Sequence, residues 1–133
     1  MSAGPEVVRV DGAPAASVSI LDRALHYGDG LFETIACRAG RARLLPMHIE
    51  RLLSGCQRLG ICGVEPAAVV AEVESLAHGA GDSIVKLIVT RGEMQARGYG
   101  ASGTEKSRRI ALRYPWPAAD RQPARVRTAQ MRL

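Results

Sequence analysis

The spacing of apolar residues changes twice along this chain, from the short extended runs typical of strands to the repeat of an α-helix and back again. After Pro46 the apolar positions recur every three to four residues, which predicts a helix that ends at Gly60. A second amphipathic helix is predicted over residues 66–78, before two closely spaced glycines. Helices set between strands in a short chain predict an α+β domain, with a mixed or antiparallel sheet and two helices packed on it.

Two hairpins are predicted before the helices. Residues 6–10 and an extended piece at 16–20 predict the first hairpin, and residues 31–38 and 41–45 predict the second. Between them, a compact turn is expected from Asp22 through Gly30, where glycines permit backbone angles or close approaches that side chains would obstruct.

Two more strands are predicted after the helices. Residues 83–90 form an apolar, β-branched run suited to a central strand, and residues 108–114 form another. A polar, glycine-rich loop at 91–106 separates them. Residues 125–133 are expected to be extended. A strand at this place is expected to have backbone groups that would pair with a strand from further sequence.

Composition narrows the class of protein. At 133 residues the chain is expected to form one domain, and no apolar run approaches the roughly 20 residues of a membrane span. No signal peptide is visible, so we expect a soluble cytoplasmic protein without a membrane partner. The odd number of cysteines and their spacing favour reduced, buried thiols, without metal ligation, for Cys37, Cys56 and Cys62.

The net charge of +5 arises from arginines scattered along the chain. Aromatic residues make up only 4% of the sequence, and no stacking platform or groove-reading motif is recognised. These features argue against a nucleic-acid partner and favour an anionic small-molecule substrate.

Residues 21–60 carry many specific residues at fixed spacing: Leu-Asp-Arg-Ala-Leu-His-Tyr-Gly-Asp-Gly-Leu-Phe-Glu-Thr, then Met-His-Ile-Glu-Arg-Leu and Gln-Arg-Leu-Gly. This stretch resembles the N-terminal domain of fold-type IV pyridoxal-phosphate enzymes and, among them, the aminodeoxychorismate lyases. The resemblance extends from about Val8 to the last residue. It implies that residues 1–133 form the N-terminal domain of a two-domain, homodimeric enzyme.

Arg51 lies in the segment that resembles this family's phosphate anchor. The resemblance implies that its guanidinium binds the phosphate of pyridoxal 5'-phosphate, for which a forked, permanently charged donor is suited. The alternative is an exposed helix arginine paired with Glu50 or another nearby acid. His48, on the same helix face, is expected to bond a neighbouring loop such as the turn at Asp22, and His26 is expected to be structural.

Four further residues are predicted to contact substrate. The resemblance implies that the segment from Tyr27 to Glu33 lines the active site, with Tyr27 and Phe32 as its substrate contacts. Phe32 lacks the hydroxyl with which related transaminases hold a carboxylate. The loop with Arg91, Arg97 and Tyr99 resembles the lyase loop and suits a dicarboxylate. The alternatives are that Tyr27 and Phe32 are core residues and that the loop arginines are only solvated.

The resemblance also implies a lysine that holds the cofactor as a Schiff base. Lys86 lies in the apolar 83–90 run, where relatives carry a lysine without using it in this way, and Lys106 lies at a loop edge. We therefore expect the Schiff-base lysine beyond residues 125–133, in a C-terminal cofactor domain that this chain lacks, and no turnover by the chain alone.

The predicted activity of the parent enzyme is conversion of 4-amino-4-deoxychorismate to 4-aminobenzoate and pyruvate in folate synthesis. Two alternatives remain open. One is a branched-chain or D-amino-acid transaminase of the same fold, and the other is a non-catalytic N-terminal domain fragment.

Overall fold

The structure is a computed structural model that describes residues 3–118 and 125–128. Its described residues form six strands and three helices, whose bounds in chain order are β1 Val7–Val10, β2 Ala13–Pro14, α1 Arg23–Tyr27, β3 Gly30–Arg38, β4 Arg41–Ala42, α2 Leu45–Leu59, α3 Pro66–Ala77, β5 Ser83–Thr90 and β6 Arg108–Pro115. The predicted α+β class is confirmed.

All six strands join one sheet in the order β2-β1-β6-β5-β3-β4, and every pairing is antiparallel. Strand β5 pairs along its whole length with β3 on one side and β6 on the other. The prediction of a central strand at residues 83–90 is therefore confirmed. Strand β6 also pairs with β1, so it lies between β1 and β5 in the sheet.

The two long helices begin and end as their sequences predict. Each has a proline in its first turn, where the missing backbone N–H costs no helical hydrogen bond. Helix α2 ends at Gly60, whose φ of +65° places it in the left-handed region that glycine adopts without strain. Helix α3 ends at Ala77, and the following His78 N–H caps it by donating to the Glu74 carbonyl.

One face of the sheet carries the hydrophobic core. Alternate residues of the central strands point towards α2 and α3, because successive side chains of a strand lie on opposite faces. The fully buried members of this core include Ile35, Val85, Leu87 and Ala111 from the sheet, with Leu52 from α2 and Val69, Val73 and Leu76 from α3.

The opposite face, which we call the open sheet face, is uncovered within the described part of the chain. The strand register aligns its side chains across β1, β6, β5 and β3. None of these is fully buried: Val8, Val10, Phe32, Thr34, Ala36, Ile84, Lys86, Ile88, Ile110, Leu112 and Tyr114. Most are apolar, so this surface is suited to contact with a ligand or another part of a protein.

Some predicted elements need correction. The opening hairpin exists, but its second strand is Ala13–Pro14 and residues 16–20 contain no strand. Strand β4 is only Arg41–Ala42, because Leu45 already belongs to α2. Residues 125–128 form no strand, and the rest of the predicted extended segment lies outside the described residues.

The compact turn predicted after Asp22 is a one-turn helix, α1. The Asp22 side chain accepts from the Ala24 N–H and caps its start, and Gly28, at φ +64°, closes its end. Gly30 meets the expectation of a close approach, since a Cβ there would lie 2.6 Å from the Val89 carbonyl oxygen.

The three cysteines do not share one environment. Cys37 and Cys56 are buried free thiols, and burial raises the pKa of each. Cys62 is exposed, so the prediction of burial is wrong for that residue.

None of the helices in the described part of the chain is long and apolar enough to cross a membrane.

Candidate functional site

Glu33 organises two polar side chains of α2. It lies on the helix-facing side of β3 and is only 3% exposed. Its Oε1 accepts from Arg51 Nε at 2.7 Å, and its Oε2 accepts from Arg51 Nη2 and from His48 Nδ1, the latter at 2.7 Å. His48 and Arg51 reach the same carboxylate because residues three apart share a helix face. We call these three residues the Glu33 cluster.

The contact between Glu33 and Arg51 stabilises the ionised form of both side chains. The hydrogen bonds from Arg51 hold the pKa of Glu33 below its ordinary value, with a smaller contribution from His48, although burial acts to raise it. The same contact raises the pKa of Arg51. His48 therefore bonds Glu33, and the expectation that it satisfies the turn at Asp22 is wrong.

Arg51 keeps part of its guanidinium available. Its side chain is 71% exposed, and Nη1 has no hydrogen-bond partner among the described residues. A cavity of about 460 Å³ lies beside it, lined by Leu44, Met47, His48, Glu50, Arg51 and Ser54. Arg51 is thus an exposed helix arginine paired with an acid, as the alternative interpretation held. Its unpaired Nη1 is also suited to binding an anion.

Tyr27 and Tyr99 come together at the end of α1. Their ring centroids are 5.0 Å apart, and the Gly98 N–H donates to the Tyr27 hydroxyl at 3.4 Å. Tyr99 is 85% exposed. Arg97 is also exposed and makes no ion pair with a described residue. The structure therefore brings three of the four predicted substrate residues into one region.

A partly buried ion-pair network lies at the base of this region. Asp29 Oδ2 accepts from Arg23 Nε and from Arg91 Nε, both at 2.8 Å. Burial acts to raise the pKa of Asp29, but the hydrogen bonds from Arg91 and Arg23 outweigh it and hold the pKa below its ordinary value. Because the Arg91 guanidinium donates to Asp29 and to the carbonyls of Leu59 and Gly60, at the C-terminal end of α2, the alternative of a merely solvated loop arginine is wrong for Arg91.

Phe32 lies apart from both groups, on the open sheet face. Its side chain is 61% exposed, and Tyr27 is only partly buried, so the reading of both residues as core is wrong. The Nζ of Lys86 lies 4.8 Å from the Phe32 ring centroid. Lys86 therefore lies on the open sheet face among apolar neighbours, as a strand residue without an acidic partner in the described chain.

The predicted residues thus form separate groups. Since Phe32 and Glu33 are consecutive in a strand, the Phe32 ring and the Arg51 side chain lie on opposite sides of the sheet. A larger cavity, about 970 Å³, lies between α2, α3 and β4, but none of the predicted site residues lines it. The polar side chains that could bind a ligand lie in the Glu33 cluster and in the network around Asp29, away from this cavity.

Sequence analysis assigned no individual role to Arg23, Asp29 or Glu33, although Asp29 and Glu33 lie in the segment that the resemblance places along the active site. All three lie within residues 21–34, the stretch that carries the family resemblance, and this resemblance was a signal that could have identified them. Arg23 and Asp29 pair with each other at a separation of six residues, but the other hydrogen-bond partners of their side chains and those of the Glu33 side chain lie 15 to 77 residues away, where no local spacing reveals the pairing.

Comparison with known proteins identifies relatives of most of the chain. A family model described as amino-transferase class IV matches residues 30–133. The chain is 31% identical over 96 residues, 72% of its length, to an aminodeoxychorismate lyase of Vibrio harveyi. It is 36% identical over 81 residues, 58% of its length, to a putative branched-chain-amino-acid aminotransferase of Methanocaldococcus jannaschii.

Solved structures share the fold. The 4-amino-4-deoxychorismate lyase of Pseudomonas aeruginosa superposes with a TM-score of 0.78 at 48% identity, over 86% of this chain. A hypothetical aminotransferase of Mycobacterium tuberculosis, solved in a PLP-bound form, gives a TM-score of 0.66 at 22% identity over 84% of this chain and 40% of its own, a likeness of fold alone.

The chain matches only part of each relative. It covers 35% of the Vibrio harveyi lyase, 28% of the Methanocaldococcus jannaschii protein and 42% of the Pseudomonas aeruginosa chain. The shared region is thus less than half of each of these proteins.

Proposed function

We propose that this chain, which belongs to the amino-transferase class IV family, is the N-terminal part of an aminodeoxychorismate lyase. The parent enzyme would convert 4-amino-4-deoxychorismate into 4-aminobenzoate and pyruvate, a step of folate synthesis, in the cytoplasm. The observation that carries this proposal is the 48% identity, over 86% of the chain, with a solved lyase of that specificity.

The cofactor of the parent enzyme is proposed to be pyridoxal 5'-phosphate, with Arg51 as a phosphate ligand. Glu33 orients Arg51 for this role, because it accepts from two of the guanidinium nitrogens and leaves Nη1 without a partner among the described residues. A phosphate has several acceptor oxygens and matches such a free edge. When bound, the cofactor supplies an electron sink for cleavage next to the substrate amine.

The substrate is a dicarboxylate, and the exposed part of the loop suits it. Arg97 offers a permanent positive charge without an ion-pair partner among the described residues. Tyr99 and Tyr27 present two rings in contact, one of them 85% exposed, beside which a substrate ring can pack. Phe32 adds an apolar surface without a hydroxyl donor.

The lysine that holds the cofactor is proposed to lie outside these 133 residues, in a second domain that covers the remaining length of the relatives. Lys86 is proposed to have no covalent role. Contact of the open sheet face with that domain, in a homodimer, would place Phe32 at the boundary between them.

Activity of the complete protein tests the proposal. Purified with pyridoxal phosphate, it is expected to release 4-aminobenzoate and pyruvate from 4-amino-4-deoxychorismate far faster than it transfers an amino group from alanine, glutamate or leucine to a keto acid. Dominant amino transfer would show that the lyase assignment is wrong.

The second candidate is a branched-chain or D-amino-acid transaminase. The 36% identity with a putative branched-chain-amino-acid aminotransferase favours it. Phe32 speaks against it, because a phenylalanine cannot donate a hydrogen bond to an amino-acid carboxylate. Absence of both activities in the complete, cofactor-loaded protein would favour the third reading, a non-catalytic domain.

A further inference from the structure

The glycine-rich loop of residues 91–107 is attached to the start of α1 through its backbone. The Arg23 N–H donates to the Gly92 carbonyl at 2.8 Å, and the Met94 N–H donates to the Leu21 carbonyl at 3.0 Å. Asp22 reinforces this contact, because its Oδ2 accepts from the Thr90 hydroxyl at 2.8 Å. The first residues of the loop therefore follow the path of the α1 N-terminus.

The side chain of Arg23 holds the loop again, further along. Arg23 is 3% exposed, and its guanidinium donates to the carbonyl oxygens of three consecutive residues, at 3.4 Å for Gly98, 2.8 Å for Tyr99 and 3.3 Å for Gly100. A guanidinium is planar and rigid, so three carbonyls bound to one fork fix the direction of the backbone between them.

We call the contacts of Arg23 with the carbonyls of residues 98–100 the loop clamp. Asp29 holds this clamp in place. Its Oδ2 accepts from Arg23 Nε on the loop side and from Arg91 Nε on the other. Arg91 then donates to the carbonyls of Leu59 at 2.6 Å and Gly60 at 2.8 Å, at the C-terminal end of α2. The loop clamp is thereby joined to the helix that carries Arg51.

The clamped backbone carries two side chains with few contacts of their own. Arg97 is exposed without an ion-pair partner in the described chain, and Tyr99 touches Tyr27 while remaining 85% exposed. Their positions are consequently set by the backbone from which they project.

We propose that Arg23 is a positioning residue for substrate binding, which holds Arg97 and Tyr99 at the substrate by fixing the carbonyls of residues 98–100. The substrate named here rests on the proposed function, whereas the clamp itself does not. Removal of the clamp is expected to weaken ground-state binding and raise KM, with a smaller effect on kcat.

The experiment compares four variants of the complete, cofactor-loaded protein by substrate kinetics and by hydrogen exchange at the amides of residues 97–101. Arg23→Gln is expected to speed exchange and to raise KM for 4-amino-4-deoxychorismate, each by about tenfold or more, with kcat changed by less than about threefold. Arg23→Lys keeps the positive charge at Asp29 but lacks the planar fork. Its exchange rates and KM are expected to lie between those of the parent and those of Arg23→Gln.

Two further variants serve as controls. Arg91→Gln removes the other charge on Asp29 but leaves the three carbonyl contacts of Arg23 in place, so exchange at residues 97–101 and KM are expected to change less than in Arg23→Gln. Arg38→Gln removes an exposed arginine paired with Asp82 at the far end of β3, and both readouts are expected to stay at parent values.

The proposal is wrong if Arg23→Gln leaves either exchange or KM at parent values, or if Arg91→Gln raises KM as much as Arg23→Gln does. If Arg23→Gln does not fold, Arg23→Lys decides by the same criteria. A parent enzyme that transfers amino groups instead of releasing 4-aminobenzoate would overturn the proposed function alone. The KM would then be measured for the amino donor.

Discussion

At the scale of single residues, Glu33 sets how much of Arg51 remains available to a ligand. Its carboxylate engages Nε and Nη2, and His48 bonds the same oxygen as Nη2 does. An exposed arginine otherwise samples many rotamers, and holding it on a nearly buried carboxylate removes that freedom before any ligand arrives.

Arg51→Ala is predicted to weaken binding of pyridoxal phosphate to the complete enzyme by about 10- to 100-fold, because a charge-assisted pair to phosphate is lost. Arg51→Lys should recover only part of this, since an ammonium group lacks the fork. Titration of the apoenzyme followed by cofactor absorbance measures the change. Arg58→Ala, at an exposed position of the same helix, is the control and should leave cofactor affinity unchanged.

Glu33→Gln is predicted to destabilise the protein in a pH-dependent way. The folded state holds the pKa of Glu33 below its ordinary value, so the pair contributes stability above the unfolded pKa of about 4.3 and loses it as pH falls through the folded pKa. The difference in unfolding free energy between the parent and Glu33→Gln, measured by chemical denaturation, should therefore be larger at pH 7 than near pH 3.5.

Glu50→Gln gives the matched comparison, because Glu50 is exposed on α2 and forms no salt bridge with a described residue. A difference for Glu33→Gln that is the same at both pH values would contradict the ion-pair account.

The sequence indicated Arg51 but not its partner. The acid beside it in the chain, Glu50, was the named candidate, whereas the actual partner lies 18 residues earlier, on a strand. Helical spacing predicts which residues share a face of α2, but which strand residue lies beneath that face depends on how α2 packs on the sheet.

At the scale of elements, α2 is held against the sheet by burial of the apolar side chains along one of its faces. Leu52→Ala is predicted to lower the free energy of unfolding by about 2–5 kcal/mol, because Leu52 is fully buried and its loss leaves a cavity. Met47→Ala, in the same helix but 63% exposed, should change it by less than about 1 kcal/mol. Urea denaturation of both variants checks this, and equal losses would contradict the packing described for α2.

The base of the glycine-rich loop permits a second comparison. A Cβ at Gly92 would lie 1.9 Å from the Lys106 carbonyl oxygen, and the residue has a φ of +97°. Gly92→Ala is therefore predicted to cost about 2 kcal/mol or more in unfolding free energy. Gly100→Ala, where a Cβ meets nothing within 4 Å, is the control and should be nearly neutral in a thermal unfolding assay.

Elements long enough to show a period were predictable, and short ones were not. Helices α2 and α3 and strand β5 follow from apolar spacing and from proline and glycine at their ends. Helix α1 has five residues, fewer than two turns, so no amphipathic repeat can develop. Its capping residues, Asp22 and Gly28, were read as parts of a turn because a turn uses the same residue types.

At the scale of the whole molecule, fold class followed from the sequence but strand order did not. The alternation of hairpins, helices and apolar strands predicted an α+β sheet, and the structure has one. Nothing local shows that β6 inserts between β1 and β5, because that arrangement depends on pairings between distant segments.

The strand order also constrains how the chain folds. Residue Val7 pairs with Arg113 and Val10 with Ile110, so the opening strand has its long partner about a hundred residues later. Sheet pairing at such sequence separation is entropically costly and slows folding. During synthesis, β1 must wait until β6 has left the ribosome, whereas the hairpin of β3 and β4 can form as soon as it emerges. Within this sheet, the last pairing to form is thus expected to be that of the N-terminal strand with β6.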